Sequence, residues 1–218
     1  MKEKTVKKSP SITCLFLDIG GVLLTNGWDH HSRRRAAARF KLKWDEFENR
    51  HAINFDTYEL GKLTLEEYLS RVVFYQKRNF TRTQFRNFMF SQSQPFAEMI
   101  DLMIRLKTLY GLKIIVVSNE VRELNAYRIK KFKLNRFVDS FISSCFVHLR
   151  KPDKDIFRLA LNTAQTPLRQ IVYLENTQAF VQIAEGLGIR SILHHDYETT
   201  RSQLASLGLP LDERIVNE

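Results

Sequence analysis

The run Ile12-Thr13-Cys14-Leu15-Phe16-Leu17-Asp18-Ile19-Gly20-Gly21-Val22-Leu23-Leu24 decides how this chain folds. Through Leu17 it is apolar and bounded as a buried strand is, and a bare carboxylate ends it. In an open α/β sheet, ligands bind at the carboxyl ends of the strands. Gly20 and Gly21 follow at once, so the backbone can turn sharply and come close to a ligand. Asp18 is therefore a candidate nucleophile or metal ligand; its plainer role would be to cap the turn.

Working outward, short apolar runs recur with amphipathic segments between them. Strands are expected at Ile12–Leu17, Lys113–Val117, Ser140–Cys145, Ile171–Leu174 and Ser191–Leu193. A helix follows Pro95 and stops at Gly111. Another opens at Pro152, where the missing N–H is harmless. A third closes at Leu187-Gly188, with glycine free to take the left-handed cap. Alternating strands and helices predict a parallel sheet covered on both faces. Residues 29–92 break this rhythm: they hold no convincing strand, many aromatics, and capping boxes at Thr64-Leu65-Glu66-Glu67 and Thr81-Arg82-Thr83-Gln84. They read as a helical insertion after the first strand.

Composition narrows the class. A chain of 218 residues that is 44% hydrophobic can bury one large core. No apolar stretch reaches the ~20 residues of a membrane span, so no membrane partner is expected. The basic start before Ile12 superficially resembles a leader, but Asp18 interrupts the apolar run too soon; a disordered basic tail over residues 1–10 is the preferred reading. Cys14 and Cys145 have neither disulfide nor metal spacing and read as buried hydrophobes of a cytoplasmic protein. The net charge of +10 invites a nucleic-acid reading. Its basic residues are spread out, apart from Arg33-Arg34-Arg35 and the tract from Arg128 to Lys133, and no nucleic-acid motif accompanies them. Specific nucleic-acid binding is not expected.

Further chemistry-bearing groups fall at strand ends. The second strand ends Val117-Ser118-Asn119-Glu120, Arg150-Lys151-Pro152-Asp153 sets an ammonium ahead of a helix start, and the fourth strand ends Leu174-Glu175-Asn176. A helix amino terminus with a lysine beside it suits an anion. Each group alone has a dull role, as cap or surface charge. Their order decides: acid, hydroxyl, lysine and acid arrive at successive strand ends of one sheet, where they can converge on one pocket.

In this order the residues resemble the haloacid dehalogenase-like hydrolase superfamily, over nearly the whole core. The resemblance implies a three-layer Rossmann-like α/β core at 11–28 and 93–218, with a small all-helical cap domain at 29–92. It implies a phosphatase of a small phosphorylated metabolite, as monomer or homodimer, in which Asp18 attacks phosphorus and forms an aspartyl-phosphate. A Mg²⁺ ion would be held by Asp18, the Gly20 carbonyl and Glu175. Ser118 and Lys151 would hold phosphoryl oxygens, with Gly21 and Asn119 beside them and Asn176 in support.

Two departures stand out. Most phosphatases of the superfamily carry a second Asp two positions after the nucleophile, as general acid and base; here that position is Gly20. The fourth motif usually reads Asp-Asp, and here it is Glu175-Asn176. His30, His31 and Glu120 are the candidates to replace the missing acid. Dehalogenation is disfavoured, because that branch usually has a side chain where Gly20 sits and an arginine nearby. A rival reading from another class is a catalytically impaired phosphate-binding or regulatory protein on the same fold.

Overall fold

The computed structural model describes residues 12–211; the expected basic tail lies outside them. Strands β1 (Cys14–Leu17), β2 (Lys113–Ser118), β3 (Ser140–Ser143), β4 (Ile171–Glu175) and β5 (Arg190–Leu193) form one parallel sheet in the order β3-β2-β1-β4-β5. The chain builds outward from β1 through β2 to β3, then returns to the other side of β1 for β4. That reversal opens a crevice at the carboxyl end of β1, between its two neighbours.

Side chains alternate along each strand, so the sheet has two buried faces. Leu15, Leu17, Ile114, Val116, Val172 and Leu174 pack with Met99, Leu102, Met103 and Leu106 of α5 (Ala97–Tyr110) and with Leu204 of α10 (Tyr197–Ser206). Cys14, Phe16, Ile115, Val117, Ile171 and Tyr173 pack with Ile156, Phe157 and Ala160 of α8 (Lys154–Ala164) and Ala184 of α9 (Gln178–Glu185). The result is the expected three-layer α/β sandwich. Both cysteines are buried and unpaired, and burial pushes each thiol up to about 12, so both stay protonated and inert.

The insertion after β1 is helical: α1 (His30–Phe40), α2 (Trp44–Glu59), α3 (Leu65–Val72) and α4 (Arg82–Ser91). Asp29 caps α1, and both expected capping boxes are formed, at Thr64 and Thr81. The four helices share a core of Phe47, Tyr58, Tyr68, Leu69 and Phe85, with Trp28 sealed into it. Val121 and Leu124, at the start of α6 (Arg122–Lys131), join the same cluster and fasten the insertion to the sheet.

Three local expectations are corrected. The third strand stops at Ser143, and Ser144 and Cys145 begin the short α7 (Ser144–Val147). There the Ser144 hydroxyl accepts from Glu120 N at 2.9 Å and reaches the Glu59 carbonyl at 2.8 Å. Those bonds replace a continued ladder and tie α2 to the end of β2. Pro152 does not open α8; Asp153 is the N-cap, its carboxylate accepting from Asp155 N. Finally, α9 ends at Glu185, ahead of Gly188 with its φ of +79°.

Candidate active site

Register brings the expected groups to one place. Leu17 pairs with Val116 on one side and Leu174 on the other, so Asp18 emerges between the ends of β2 and β4. Asp18 N donates to Leu174 O at 3.0 Å, and Ile19 N donates to Ser118 Oγ at 3.4 Å. Asp18, Gly20, Asn119, Lys151 and Asn176 all line a cavity of about 360 Å³ between sheet edge and insertion. A volume of that order suits a small-molecule ligand.

Lys151 is the electrostatic hub. Its ammonium is 1% exposed, 3.2 Å from Asp18 Oδ1, and donates to Glu175 Oε2 at 2.6 Å and to Tyr173 OH at 3.0 Å. The Tyr173 hydroxyl in turn donates to the same Glu175 oxygen. Burial alone would lower the Lys151 pKa, but Asp18 and Glu175 more than offset it and hold it above the ordinary lysine value. Burial pushes the Asp18 carboxyl up to about 6; Lys151 opposes the rise, Glu175 adds to it, and Ser118 opposes it further. Burial and the two carboxylates keep Tyr173 far above its usual range, a permanent phenol donor. Sequence reading missed Tyr173, because an aromatic inside an apolar strand looks like core.

Oxygen donors for a hard cation are present. Asp18 Oδ1 is buried and, beyond the Lys151 ammonium at 3.2 Å, has no partner among the described residues. The Asn176 amide lies against Gly20 O and Glu175 Oε1; turned nitrogen-inward it donates to them at 3.0 and 3.1 Å. Turned oxygen-inward it would leave three oxygens facing one another, an arrangement that calls for a cation among them. Asp18, the Gly20 carbonyl and Asn176 thus fit a Mg²⁺ ion. Of Glu175, expected as a ligand, Oε2 is held by Lys151 and Tyr173, while Oε1, which also accepts from Thr177 N at 3.0 Å, is one of those facing oxygens. Among the described residues no cluster of three His, Cys, Asp or Glu side chains offers another metal site. Gly21, with a φ of +80°, has no room for a Cβ, which would overlap the Asn176 amide.

The groups expected to replace the missing acid are placed elsewhere. His30 is exposed on the first turn of α1, 3.8 Å from Glu48, and does not line the cavity; His31 is exposed beside it. Glu120 does line it, but Arg128 holds its Oε1 at 2.5 Å in a fully buried pair. Arg128 also donates to Thr25 O, so this member of the basic tract is structural, not a surface charge. The three adjacent arginines diverge: Arg33 forks onto Glu48, Arg34 stacks on Trp44, and Arg35 bonds Gln92. Trp28 lines the cavity while donating to Tyr68 OH at 2.9 Å.

From the insertion side the wall is Glu59 and Phe55 of α2, faced by Arg150. Arg150 donates through Nε to Glu59 Oε2 and through a terminal nitrogen to Asp56 Oδ1, both at 2.6 Å. Burial pushes Glu59 up to about 7 despite Arg150. No periodicity joins residues so far apart in sequence, so the contact leaves no local signal. Among the described residues no helix is long and apolar enough to cross a membrane.

Comparison with known proteins agrees with this geometry. The structure is similar to a HAD-like family hydrolase from Porphyromonas gingivalis, with a TM-score of 0.73 at 18% identity, covering 89% of this chain and 98% of that one. It is similar to a HAD family enzyme from Bacteroides thetaiotaomicron solved with magnesium and inorganic phosphate, with a TM-score of 0.70 at 20% identity, covering 87% and 98%. An L-2-haloacid dehalogenase from Xanthobacter autotrophicus, with chloropropionic acid covalently bound, is more distant, at a TM-score of 0.57 and 13% identity over 92% and 85% of the two chains. Such identities establish the fold alone. In sequence, the chain is 33% identical over 69 residues to drimenol cyclase drtB of Aspergillus calidoustus, which covers 32% of this chain and 13% of that protein. The family model for haloacid dehalogenase-like hydrolases matches residues 12–194, and the chain belongs to that family.

Proposed function

We propose that this hydrolase is a Mg²⁺-dependent phosphatase of a small phosphorylated metabolite, working through an aspartyl-phosphate on Asp18. The carrying observation is the placement of Asp18 in the cavity with Lys151 Nζ 3.2 Å away. Phosphate and magnesium in the similar Bacteroides thetaiotaomicron enzyme support the reading.

This chain's own residues supply most of what phosphoryl transfer needs. Asp18 attacks phosphorus, and the bond to the leaving oxygen breaks. Lys151, locked by Glu175 and Tyr173, offsets negative charge on the phosphoryl oxygens as the transition state forms. Ser118 and the turn at Gly20 and Gly21 bring a hydroxyl and backbone close to the same group. Bound Mg²⁺, held by Asp18, the Gly20 carbonyl and Asn176, would reduce repulsion between the nucleophile and the anionic substrate.

The test is phosphate release from a panel of sugar, nucleotide and small-acid phosphates with Mg²⁺, comparing wild type with Asp18→Asn. Turnover lost in Asp18→Asn is expected; equal release by both proteins would overturn the assignment. Halide release from 2-chloropropionate without phosphate release would assign the site to dehalogenation. Tight binding of phosphate esters without turnover would favour the impaired, regulatory protein.

A further inference from the structure

Gly20 leaves the site without the side chain that would protonate the leaving oxygen. The space over it is filled: a Cβ at Gly20 would stand 3.2 Å from Asn26 Oδ1. An amide does not titrate, so Asn26 cannot deliver the proton. The titratable acids lining the cavity besides Asp18 are Asp29, Glu59 and Glu120. Asp29 caps α1 through Oδ1, which accepts from Ser32 N at 2.7 Å, and protonating it would weaken that cap.

Glu120 and Glu59 each face an arginine, but the two pairs differ in what protonation would leave behind. The side chains of Arg128 and Glu120 are 2% and 3% exposed. Protonating Glu120 would strand a buried guanidinium without a counter-charge, at high cost. Arg150 is 24% exposed and divides its donors between Glu59 and Asp56. Glu59 can therefore take and lose a proton while Arg150 keeps Asp56. Arg150 occupies only Oε2; no hydrogen bond among the described residues reaches Glu59 Oε1. The charged groups around it are Arg150, Lys151 and Glu120 from the core and Asp56 on its own helix, with His148 on the neighbouring Leu60 carbonyl. Burial holds Glu59 near the neutral range, which suits a group that must be acid and base in turn.

We propose that Glu59, carried into the cavity by the end of α2, is the general acid and base that Gly20 does not supply. This rests on the phosphatase reading above. In the first step Asp18 forms its bond to phosphorus, the ester P–O bond breaks, and the Glu59 carboxyl gives its proton to the departing alkoxide. In the second, the Glu59 carboxylate takes a proton from water as that water attacks phosphorus. The Asp18–phosphorus bond breaks, and phosphate leaves with Asp18 and Glu59 restored.

Leaving-group dependence tests the assignment. 4-Nitrophenyl phosphate departs without a proton, whereas an alkyl phosphate such as glycerol phosphate needs one. Glu59→Gln keeps an acceptor oxygen for Arg150 and should lose about 100-fold or more in kcat/KM on the alkyl ester, with little loss on the nitrophenyl ester. Equal loss on both esters, no loss on either, or the same selectivity in Glu120→Gln instead would overturn it. If Glu59→Gln does not fold, the wild type itself decides: alkyl esters within about tenfold of the nitrophenyl ester support proton delivery, and a steep fall excludes it. Asp18→Asn is run alongside. A wild type inert on every ester defeats the phosphatase reading, whereas an active wild type with an unselective Glu59→Gln defeats only the role of Glu59.

Discussion

Asn119 and Lys151 grip each other through a reciprocal pair of hydrogen bonds: Asn119 Nδ2 donates to Lys151 O at 2.9 Å, and Lys151 N donates to Asn119 Oδ1 at 2.8 Å. The side chain from the end of β2 thus fixes the backbone that carries the hub lysine. Asn119, expected beside the phosphate-holding groups, lines the cavity and uses its amide to hold the Lys151 backbone. Asn119→Ala should cost about 1–3 kcal/mol of stability in urea titration. It should also reduce kcat about 10- to 100-fold with a smaller change in KM, since a misplaced ammonium loses more at the transition state than in the ground state. An unchanged kcat would separate the clamp from the chemistry.

Lys151 also holds the site together. Lys151→Met removes the cation between Asp18 and Glu175 and leaves buried carboxylates facing one another. Breaking a buried pair in this way should destabilise the protein by about 3–5 kcal/mol. Without Lys151 the Asp18 carboxyl rises further above its unfolded value, so the folded state binds more protons than the unfolded one. Stability of the variant then falls as pH rises through that range. Denaturation at pH 5 and pH 7.5 checks this: the deficit relative to wild type should be smaller at the lower pH.

The Asn176 amide makes magnesium binding visible without an activity assay. Its nitrogen satisfies Gly20 O and Glu175 Oε1; a bound Mg²⁺ would require its oxygen to face inward instead. Asn176→Asp restores a second acidic oxygen and should tighten Mg²⁺ binding in calorimetry, while its metal-free form loses thermal stability through carboxylate repulsion with Glu175. Asn176→Leu should abolish the magnesium-dependent rise in Tm. Gly21→Ala should damage both states, since its φ of +80° and the Asn176 amide leave no place for a methyl group.

What was legible in the sequence follows from locality. Asp18, Ser118 and Glu175 each end or follow an apolar strand, and a parallel sheet places such positions along one edge; Lys151 follows α7 rather than a strand and reaches that edge from the loop before α8. The helical insertion announced itself by two capping boxes and by the loss of strand patterning. Tyr173, Arg128 and the Glu59–Arg150 contact left no comparable trace. Tyr173 and Arg128 look like a core aromatic and a surface charge until tertiary packing assigns their partners. Glu59 and Arg150 come together where the Ser144 hydroxyl and His148 pin the end of α2 beside the end of β2. His30 failed as an acid candidate for a related reason: a residue on the first helical turn after a loop can point either way, and the Asp29 cap turns this one toward Glu48.

Stability against pH should show opposing limbs from two buried groups of the insertion. Trp28 Nε1 donates to Tyr68 OH, which leaves the tyrosine proton for His51 Nδ1 at 2.7 Å. His51 is therefore neutral, and burial pushes it down to about 3. Between about 6.5 and 3 the unfolded chain binds the His51 proton and the folded one does not, so stability falls as pH drops through that window. Glu59 acts oppositely. Raised from 4.5 to about 7, it binds a proton in the folded state that the unfolded chain has released, so its contribution declines as pH rises from about 4.5 to 7. At 1.36 kcal/mol per unit, the Glu59 limb amounts to at most about 3 kcal/mol. Urea titrations from pH 4 to 8 on wild type, Glu59→Gln and His51→Gln check both. Glu59→Gln should flatten the decline between pH 5 and 7, and His51→Gln should flatten the acid limb. Parallel curves for all three proteins would show that neither group is held as the structure has it.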